Sequence, residues 1–277
     1  MPLYRVCLIA PPDNPHAACF REIALLLVSA LHSNNLNCDF AVNQMSPQHT
    51  NILVGYHLLN FNSSIPSFNY IPYQLEQLFS NDFPFTDNIK NILKHGSEVW
   101  DYSNENIALL QNMGIKAKLL IPGFHPNLET IPVIPNNDRN IDILFYGSIG
   151  PRRQFILSEL DKRCKVKVLF GVYGEKRDQW IKRSKMILNI HHYSTQLFEA
   201  VRISYLLNNN CLVVSEASAY NPYPSVSLTS VQYDDLIETS MSLLNDIENM
   251  KLLRRKNYEE FKKNYPMTEL IKHVISH

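Results

Sequence analysis

Residues 141–216 read IDILFYGSIGPRRQFILSELDKRCKVKVLFGVYGEKRDQWIKRSKMILNIHHYSTQLFEAVRISYLLNNNCLVVSE, and their rhythm decides the fold. Three apolar runs (Ile141–Tyr146, Val166–Phe170, Met186–Ile190) each end in a polar or glycine-bearing loop that leads into a helical pattern. A fourth run, Cys211–Val214, closes the series. Strand, polar turn and helix in repetition build a parallel α/β sheet, with a ligand site at the carboxyl ends of its strands. Half of the eight glycines fall between Gly147 and Gly174, which places close backbone approach in this part of the chain.

Working outward, the amino-terminal half repeats the pattern less regularly. A strand over Leu3–Ala10 is followed by the loop Pro11–His16 and a helix from about Ala17 to Leu31, whose Ile23, Leu26, Leu27, Ala30 and Leu31 recur at helical spacing. Short strands are expected at Cys38–Val42, Ile52–Gly55, Phe68–Ile71, Glu98–Trp100 and Ala117–Ile121. A helix is expected over Asn104–Asn112, capped by Ser103 and ended by Gly114. The stretch containing Pro132, Pro135, Asn136, Asn137 and Asp138 has the composition of a linker. Helices over Asp234–Asn245, Met250–Tyr265 and Met267–His277 complete the chain. The expected architecture is therefore α/β, with two Rossmann-like domains: residues 1–135 and residues 136–277.

With 277 residues, the chain is long enough for two such domains. Its formal net charge is zero, so no general attraction to nucleic acid or anionic lipid is built in. The five cysteines, Cys7, Cys19, Cys38, Cys164 and Cys211, form no CxxC pair and suggest neither a disulfide framework nor a zinc site. No signal peptide is read at the amino terminus, and no apolar run reaches the ~20 residues of a membrane helix. Cytoplasmic location, with no metal, is the expectation.

Several residues in the two halves suit anion and sugar chemistry. Tyr146-Gly147-Ser148 ends a strand, and Pro151 suits the first turn of the next helix, whose unpaired N–H groups favour phosphate. Arg152 and Arg153 in that turn oppose the helix dipole unless an anion is near; the competing reading is solvated surface charge. Asn189-Ile-His191-His192-Tyr193 ends another strand. Its histidines suit sugar hydroxyls or phosphate, and as strand neighbours they point to opposite faces, so one is structural and the other faces a ligand. Over an expected helix Gln196–Leu207, Glu199 and Arg202 stand at i and i+3. They read either as an intrahelical ion pair or as a ribose-binding acid beside a diphosphate-binding arginine. Glu216, at the end of the following strand, is a second acid. Glu175 and Arg177 follow a strand and read equally as a solvated helix start. In the first half, His16 and Asp13 lie in the loop after the first strand, where a base for an acceptor hydroxyl is expected; Glu76 and Asp101 are further acids. Tyr and Asn residues within 61–73 and 220–223 suit stacking on sugar rings.

Over residues 140–217 the chain resembles the GT-B glycosyltransferases, particularly the bacterial group related to spore-maturation and glycan-modifying transferases. Tyr146-Gly-Ser148 with Arg152 and Arg153 matches the family's first donor motif, and Leu188-Asn-Ile-His191 matches the second. Arg202-Ile-Ser-Tyr205 followed by Leu212-Val-Val-Ser-Glu216 matches the third, with Tyr205 where the family has a ribose-binding Glu and Asn210 in place of a glycine. The resemblance implies two Rossmann-like domains facing across a cleft and transfer of a hexose from a nucleotide sugar, UDP-sugar foremost, to a hydroxyl acceptor without a bound metal or other cofactor. It also implies a terminal helix returning to the first domain. Two other classes stay open: a non-catalytic nucleotide-sugar-binding module, suggested by Tyr205, and a dinucleotide enzyme, against which the missing G-x-G-x-x-G after Leu3–Ala10 argues.

Overall fold

In the computed structural model, residues 3–59, 67–78, 84–192 and 196–275 are described. The chain divides into two compact units, one formed by Met1–Asn127 with Pro266–His277 and the other by Leu128–Tyr265.

In the first unit, β1 (Leu3–Leu8), β2 (Asn37–Val42), β3 (Thr50–Val54), β4 (Tyr70–Gln74), β5 (Trp100–Asp101) and β6 (Lys118–Leu119) form a sheet in the order β2-β1-β3-β4-β5-β6. Every pairing is parallel. Helices α1 (Arg21–Ser33), α2 (Asp87–His95) and α3 (Asn104–Asn112) belong to this unit. α3 has the bounds its sequence predicts, because the Ser103 hydroxyl accepts the Asn106 N–H and satisfies one of the helix's open donors. α2 has the same device in Thr86, which accepts from Ile89. Its apolar residues Ile89, Ile92 and Leu93 pack with Cys7, Leu53, Tyr56, Tyr70 and Leu110 in one core.

The second unit repeats this winding. β7 (Ile141–Tyr146), β8 (Val166–Leu169), β9 (Ser184–Asn189), β10 (Val213–Glu216) and β11 (Thr229–Val231) are arranged β11-β10-β9-β7-β8, again all parallel. α4 (Pro151–Asp161), α5 (Gly174–Lys182), α6 (Ala200–Asn208), α7 (Leu236–Asn245) and α8 (Ile247–Asn264) connect and cover it. Ile143, Phe145, Leu157, Leu160, Met186, Leu188 and Val214 form its core. The runs are apolar almost throughout, as strands covered on both faces require.

In each unit the first strand lies between the second and the third. The chain therefore moves out to one side, crosses back, and continues on the other. The direction reverses between β1 and β3 in one sheet and between β7 and β9 in the other, and loops leaving the carboxyl ends of such a pair part to leave a crevice.

The division of the chain differs from 1–135 and 136–277 at both ends of the second unit. The proline- and asparagine-rich stretch is mostly exposed but tied down at both ends: Asn209 Oδ1 accepts the N–H groups of Thr130 and Ile131 at 2.8 and 3.0 Å, and buried Arg139 donates to the Ser184 carbonyl at 2.7 Å. At the other end, the last residues return to the first unit as two short helical turns, Met267–Leu270 and Lys272–Ile275. Met267, Ile271 and Val274 form one buried helical stripe. Met267 N–H donates to the Phe124 carbonyl at 2.7 Å, Asn34 Nδ2 to the Thr268 carbonyl at 2.9 Å, and Lys118 Nζ to the Val274 carbonyl at 3.0 Å. Among the described residues, no helix is long and apolar enough to cross a membrane.

Candidate functional site

The β7/β9 reversal gathers most of the residues singled out above. Gly147 leaves β7 with φ +140°, a conformation that L side chains rarely adopt, and a Cβ built on it would stand 3.0 Å from Arg202 Nη2 and 3.6 Å from Arg153 Nη1. The glycine is thus favoured by the positive φ of the turn and by the close approach of Arg202, with Arg153 at ordinary contact distance. The loop Ser148–Gly150 follows, and Pro151 opens α4 with no side chain capping its first turn. The leading N–H groups of α4 are left as donors at the end carrying the helix's partial positive charge.

Four arginines converge here, and they differ in what neutralises them. Arg153 is buried and donates to the Ile190 carbonyl at 2.6 and 3.0 Å and to the Ser148 carbonyl at 2.9 Å, with Glu199 Oε1 at 3.9 Å. It ties the loop after β7 to the loop after β9, so its reading as solvated surface charge is overturned. Arg152 is 43% exposed, pairs with buried Glu216 at 2.6 Å and stacks on the Tyr233 ring at 4.3 Å. Arg177 is buried, pairs with Asp178 at 2.8 Å and stacks on Tyr205 at 4.5 Å. The reading of Arg177 as part of a solvated helix start fails with it, whereas Glu175 is exposed in the first turn of α5.

Arg202 is held differently. Its Nη1 donates to the neutral Asn189 Oδ1 at 2.8 Å, and its guanidinium faces the Tyr146 ring at 5.0 Å. Among the described residues no carboxylate lies within ion-pair distance of it. The expected direct pair with Glu199 is absent for a structural reason. α6 begins at Ala200, with Glu199 at the non-helical capping position and Gln196 at φ +51°, so the helix predicted over Gln196–Leu207 starts four residues late. Glu199 turns instead to Asn189 Nδ2 at 2.7 Å and His191 Nδ1 at 3.0 Å, and Asn189 bridges the acid and the arginine.

The two histidines separate clearly, although they follow β9 rather than lie in it. His191 is buried: its N–H donates to Glu216 at 3.0 Å, Nδ1 faces Glu199, and Nε2 lies 3.2 Å from both the Ala217 carbonyl and Ser218 Oγ. Burial alone would lower its pKa, but the hydrogen bond and charge of Glu199 outweigh this and hold it above the ordinary imidazole value. Burial would likewise raise Glu199, and the hydrogen bond and charge of His191 hold it below the ordinary carboxylate value. His192 is exposed, with Nδ1 3.5 Å from Ser148 Oγ. Tyr193 lies outside the described residues.

Tyr205 is buried and not oriented as a ribose ligand. Its hydroxyl donates to Asp178 at 2.8 Å and meets Thr130 Oγ1 at 3.0 Å, locking α6 to α5. Tyr223 is also structural, fully buried with its ring edge-on to Phe198, Phe261 and Tyr265.

Asp13 and His16 belong to the first unit, both exposed in the segment leaving β1. Sequence spacing did not reveal a second polar group there, at the carboxyl ends of β3 and β4. His57 Nε2 lies 3.8 Å from Glu76 Oε1. Burial raises the Glu76 carboxyl to about 7 and lowers His57 to about 4. Glu76 was one of the acids noted above, but nothing in the order of residues links it to His57. Among the described residues no group of three or more His, Cys, Asp or Glu side chains is placed to hold a metal.

Solved glycosyltransferases share this fold of two parallel-sheet α/β domains. An alpha-glucosyltransferase in complex with UDP and a 13-mer DNA containing a central A:G mismatch aligns with TM-score 0.62 over 99% of this chain and 98% of its own, at 9% identity. T4 phage beta-glucosyltransferase aligns with TM-score 0.61 over the whole of both chains at 11% identity. AviGT4, a glycosyltransferase involved in avilamycin A biosynthesis, gives 0.58 over 99% and 96% at 11% identity. The chain therefore has the GT-B fold, two parallel-sheet α/β domains. In sequence it is similar to two uncharacterized proteins of Acanthamoeba polyphaga mimivirus. One is 30% identical over 219 residues (75% of this chain and 64% of the relative), the other 28% identical over 195 residues (68% and 64%). The chain thus spans just under two thirds of the length of these relatives. No family model matches it.

Proposed function

We propose that the protein is a glycosyltransferase that moves a sugar from a nucleoside diphosphate sugar, UDP-sugar foremost, to a hydroxyl acceptor, with the donor held at the β7/β9 reversal of the second unit. The observation that carries this reading is Arg202, a cation beside a glycine turn that is held by a neutral amide and aromatic rings, with no carboxylate within ion-pair distance among the described residues. Arg152, Arg153 and Arg177 each have a carboxylate nearby; Arg202 is left with charge for a diphosphate.

The step this arrangement serves is cleavage of the bond between the sugar's anomeric carbon and the diphosphate oxygen, with a new bond formed to the acceptor oxygen. Negative charge grows on the departing diphosphate. Arg202, Arg152 and the open N–H groups of α4 stabilise it where it develops, the role in which fixed dipoles and cations contribute most. Because these groups supply the charge, no metal is invoked. Ser148 and His192 contact the phosphates or the sugar, and Glu199, oriented by Asn189 and His191, accepts from sugar or ribose hydroxyls. Arg153, Arg177, His191 and Glu216 act by holding those groups in place. In an inverting course the acceptor proton passes to a base, for which His16 and Asp13 are the candidates; a retaining course needs no such base. The resemblance of the donor motifs to the spore-maturation and glycan-modifying group is consistent with this assignment of the donor side. Five cysteines that form no disulfide suit a reducing cytoplasm.

Incubation of the purified protein with a panel of nucleotide sugars, with and without EDTA, tests the reading by mass spectrometry of donor consumption. Slow hydrolysis of one donor, lost in Arg202→Ala together with at least tenfold of affinity for the matching diphosphate, is expected. A fall of that size is what one charge-assisted contact contributes. Tight diphosphate binding with no turnover on any acceptor would assign a binding module instead, and unchanged affinity in Arg202→Ala would remove the arginine from the site.

A further inference from the structure

At the opposite end of the second sheet's strands, where β7 and β9 begin, a second cationic group is built from residues the donor site does not use. Arg139, just before β7, is 6% exposed. Its Nη1 donates to the Ser184 carbonyl at 2.7 Å, and its Nε is buried without a partner. Arg254, half-buried on α8, points Nη1 at Asn136 Oδ1 at 3.4 Å. The Nδ2 of that same buried amide is also without a partner. One turn further along α8, Asn257 is fully buried with both amide atoms unpaired.

The charges in this group do not balance. Arg139 and Arg254 repel each other, and burial lowers both below the ordinary guanidinium value. No carboxylate pairs with either among the described residues. The neighbouring Cys211 supplies no negative charge, because burial pushes its thiol up to about 12. Asp178, the acid nearest that thiol, is already bound by Arg177 and Tyr205. A buried and a half-buried cation side by side without a counter-charge are costly. A buried donor left unmade costs about 1–3 kcal/mol, so orphaned donors beside those cations point to a ligand that accepts hydrogen bonds and carries negative charge.

We propose that Arg139, Arg254 and Asn136 form a binding site for a compact oxyanion such as inorganic phosphate, distinct from the donor site and tying α8 to the start of β7. The anion enters from the side of Arg254, the most exposed of the three. It accepts from Arg139 Nε, Asn136 Nδ2 and the Arg254 guanidinium, and it offsets their repulsion.

Thermal melts of the full chain in sodium phosphate against sodium chloride at matched ionic strength test this. A phosphate-specific rise of at least about 2 °C is expected for the wild type once phosphate well exceeds its dissociation constant. The rise should disappear in Arg254→Met and in Asn136→Ala, neither of which removes a fully buried side chain, and should persist in Arg202→Ala. No phosphate-specific rise in the wild type would overturn the proposal. So would a rise lost in Arg202→Ala and kept in Arg254→Met, which would place the anion at the donor site. The outcome is independent of whether any nucleotide sugar is consumed, so failure of the transferase reading leaves this test standing.

Discussion

Replacing Gly147 by alanine should damage both the stability of the second unit and its hold on a diphosphate. The backbone there has φ +140°, and the new methyl would lie 3.0 Å from Arg202 Nη2 and 3.6 Å from Arg153 Nη1. A non-glycine residue held in such a sparsely populated region costs about 1–3 kcal/mol. The clash adds little to the folding cost, since the near atom is the end of a side chain that can move a few tenths of an ångström. That movement is the functional damage: Arg202 slides off Asn189 Oδ1, at 2.8 Å in the native arrangement, and off the Tyr146 ring. A total of about 2 kcal/mol corresponds to a fall in Tm of about 4–8 °C in a domain of this size. Partial loss of a charged contact corresponds to about tenfold weaker diphosphate binding. Gly150 is the internal control, because it has no positive φ and a Cβ there would meet nothing within 4 Å. Differential scanning calorimetry and titration calorimetry with UDP measure the two effects. If Gly147→Ala melts within about 1 °C of Gly150→Ala and binds UDP as the wild type does, the argument from the glycine turn is refuted.

Three further outcomes follow from the charges and packing described. The Glu199 carboxylate is held low and His191 high. The acid's share of stability is present above about pH 4.3 and lost as pH falls through its lower folded value; the imidazolium's share is present below about pH 6.5 and lost as pH rises through its higher folded value. Glu199→Gln should therefore destabilise most near pH 5.5, by about 2 kcal/mol, and less at pH 9; a penalty flat across urea melts at these pH values would sink the pair. Glu76, raised to about 7, has the opposite sign, because folding disfavours its ionised form and stability falls as pH rises above about 4.3. Glu76→Gln should match the wild type at about pH 4 and exceed it at pH 8.5 by about 3–4 kcal/mol, taking about 1.4 kcal/mol per pKa unit, and equal urea midpoints at pH 8.5 would contradict this. Ile271→Ala, which empties a fully buried position of the returning tail, should cost about 2–5 kcal/mol and raise hydrogen exchange in α1 and β6 while leaving β7–β10 unchanged; the reverse pattern would assign the tail to the other unit.

Much of the fold is local information, and local information is legible in sequence. The apolar runs at 141–146 and 186–190 and the Ser103 cap depend on neighbours within a few residues, so strand period and hydrogen-bonding side chains reveal them directly. The βα rhythm determined that the sheets are parallel, and the glycine placement determined where the backbone turns sharply. The same reading placed Arg152 and Arg153 in the helix turn after one strand, His191 and Glu216 at the ends of two others, and Glu199 and Arg202 on the helix between those two. It did not determine what each of them touches. Whether a guanidinium is buried against carbonyls, as in Arg153, or left with a neutral amide, as in Arg202, depends on which loops the strand order brings side by side. That order, with β9 beside β7 rather than β8, is a property of the whole sheet. The late start of α6 turns Glu199 toward Asn189 and His191, which the end of β9 presents across the intervening loop. The tail at 266–275 joins the first unit because its apolar stripe finds its partners around Phe124 and Asn34, more than a hundred residues away. Pairings at such separations are decided by packing and by satisfaction of buried polar groups, and these exist only once the tertiary structure has formed.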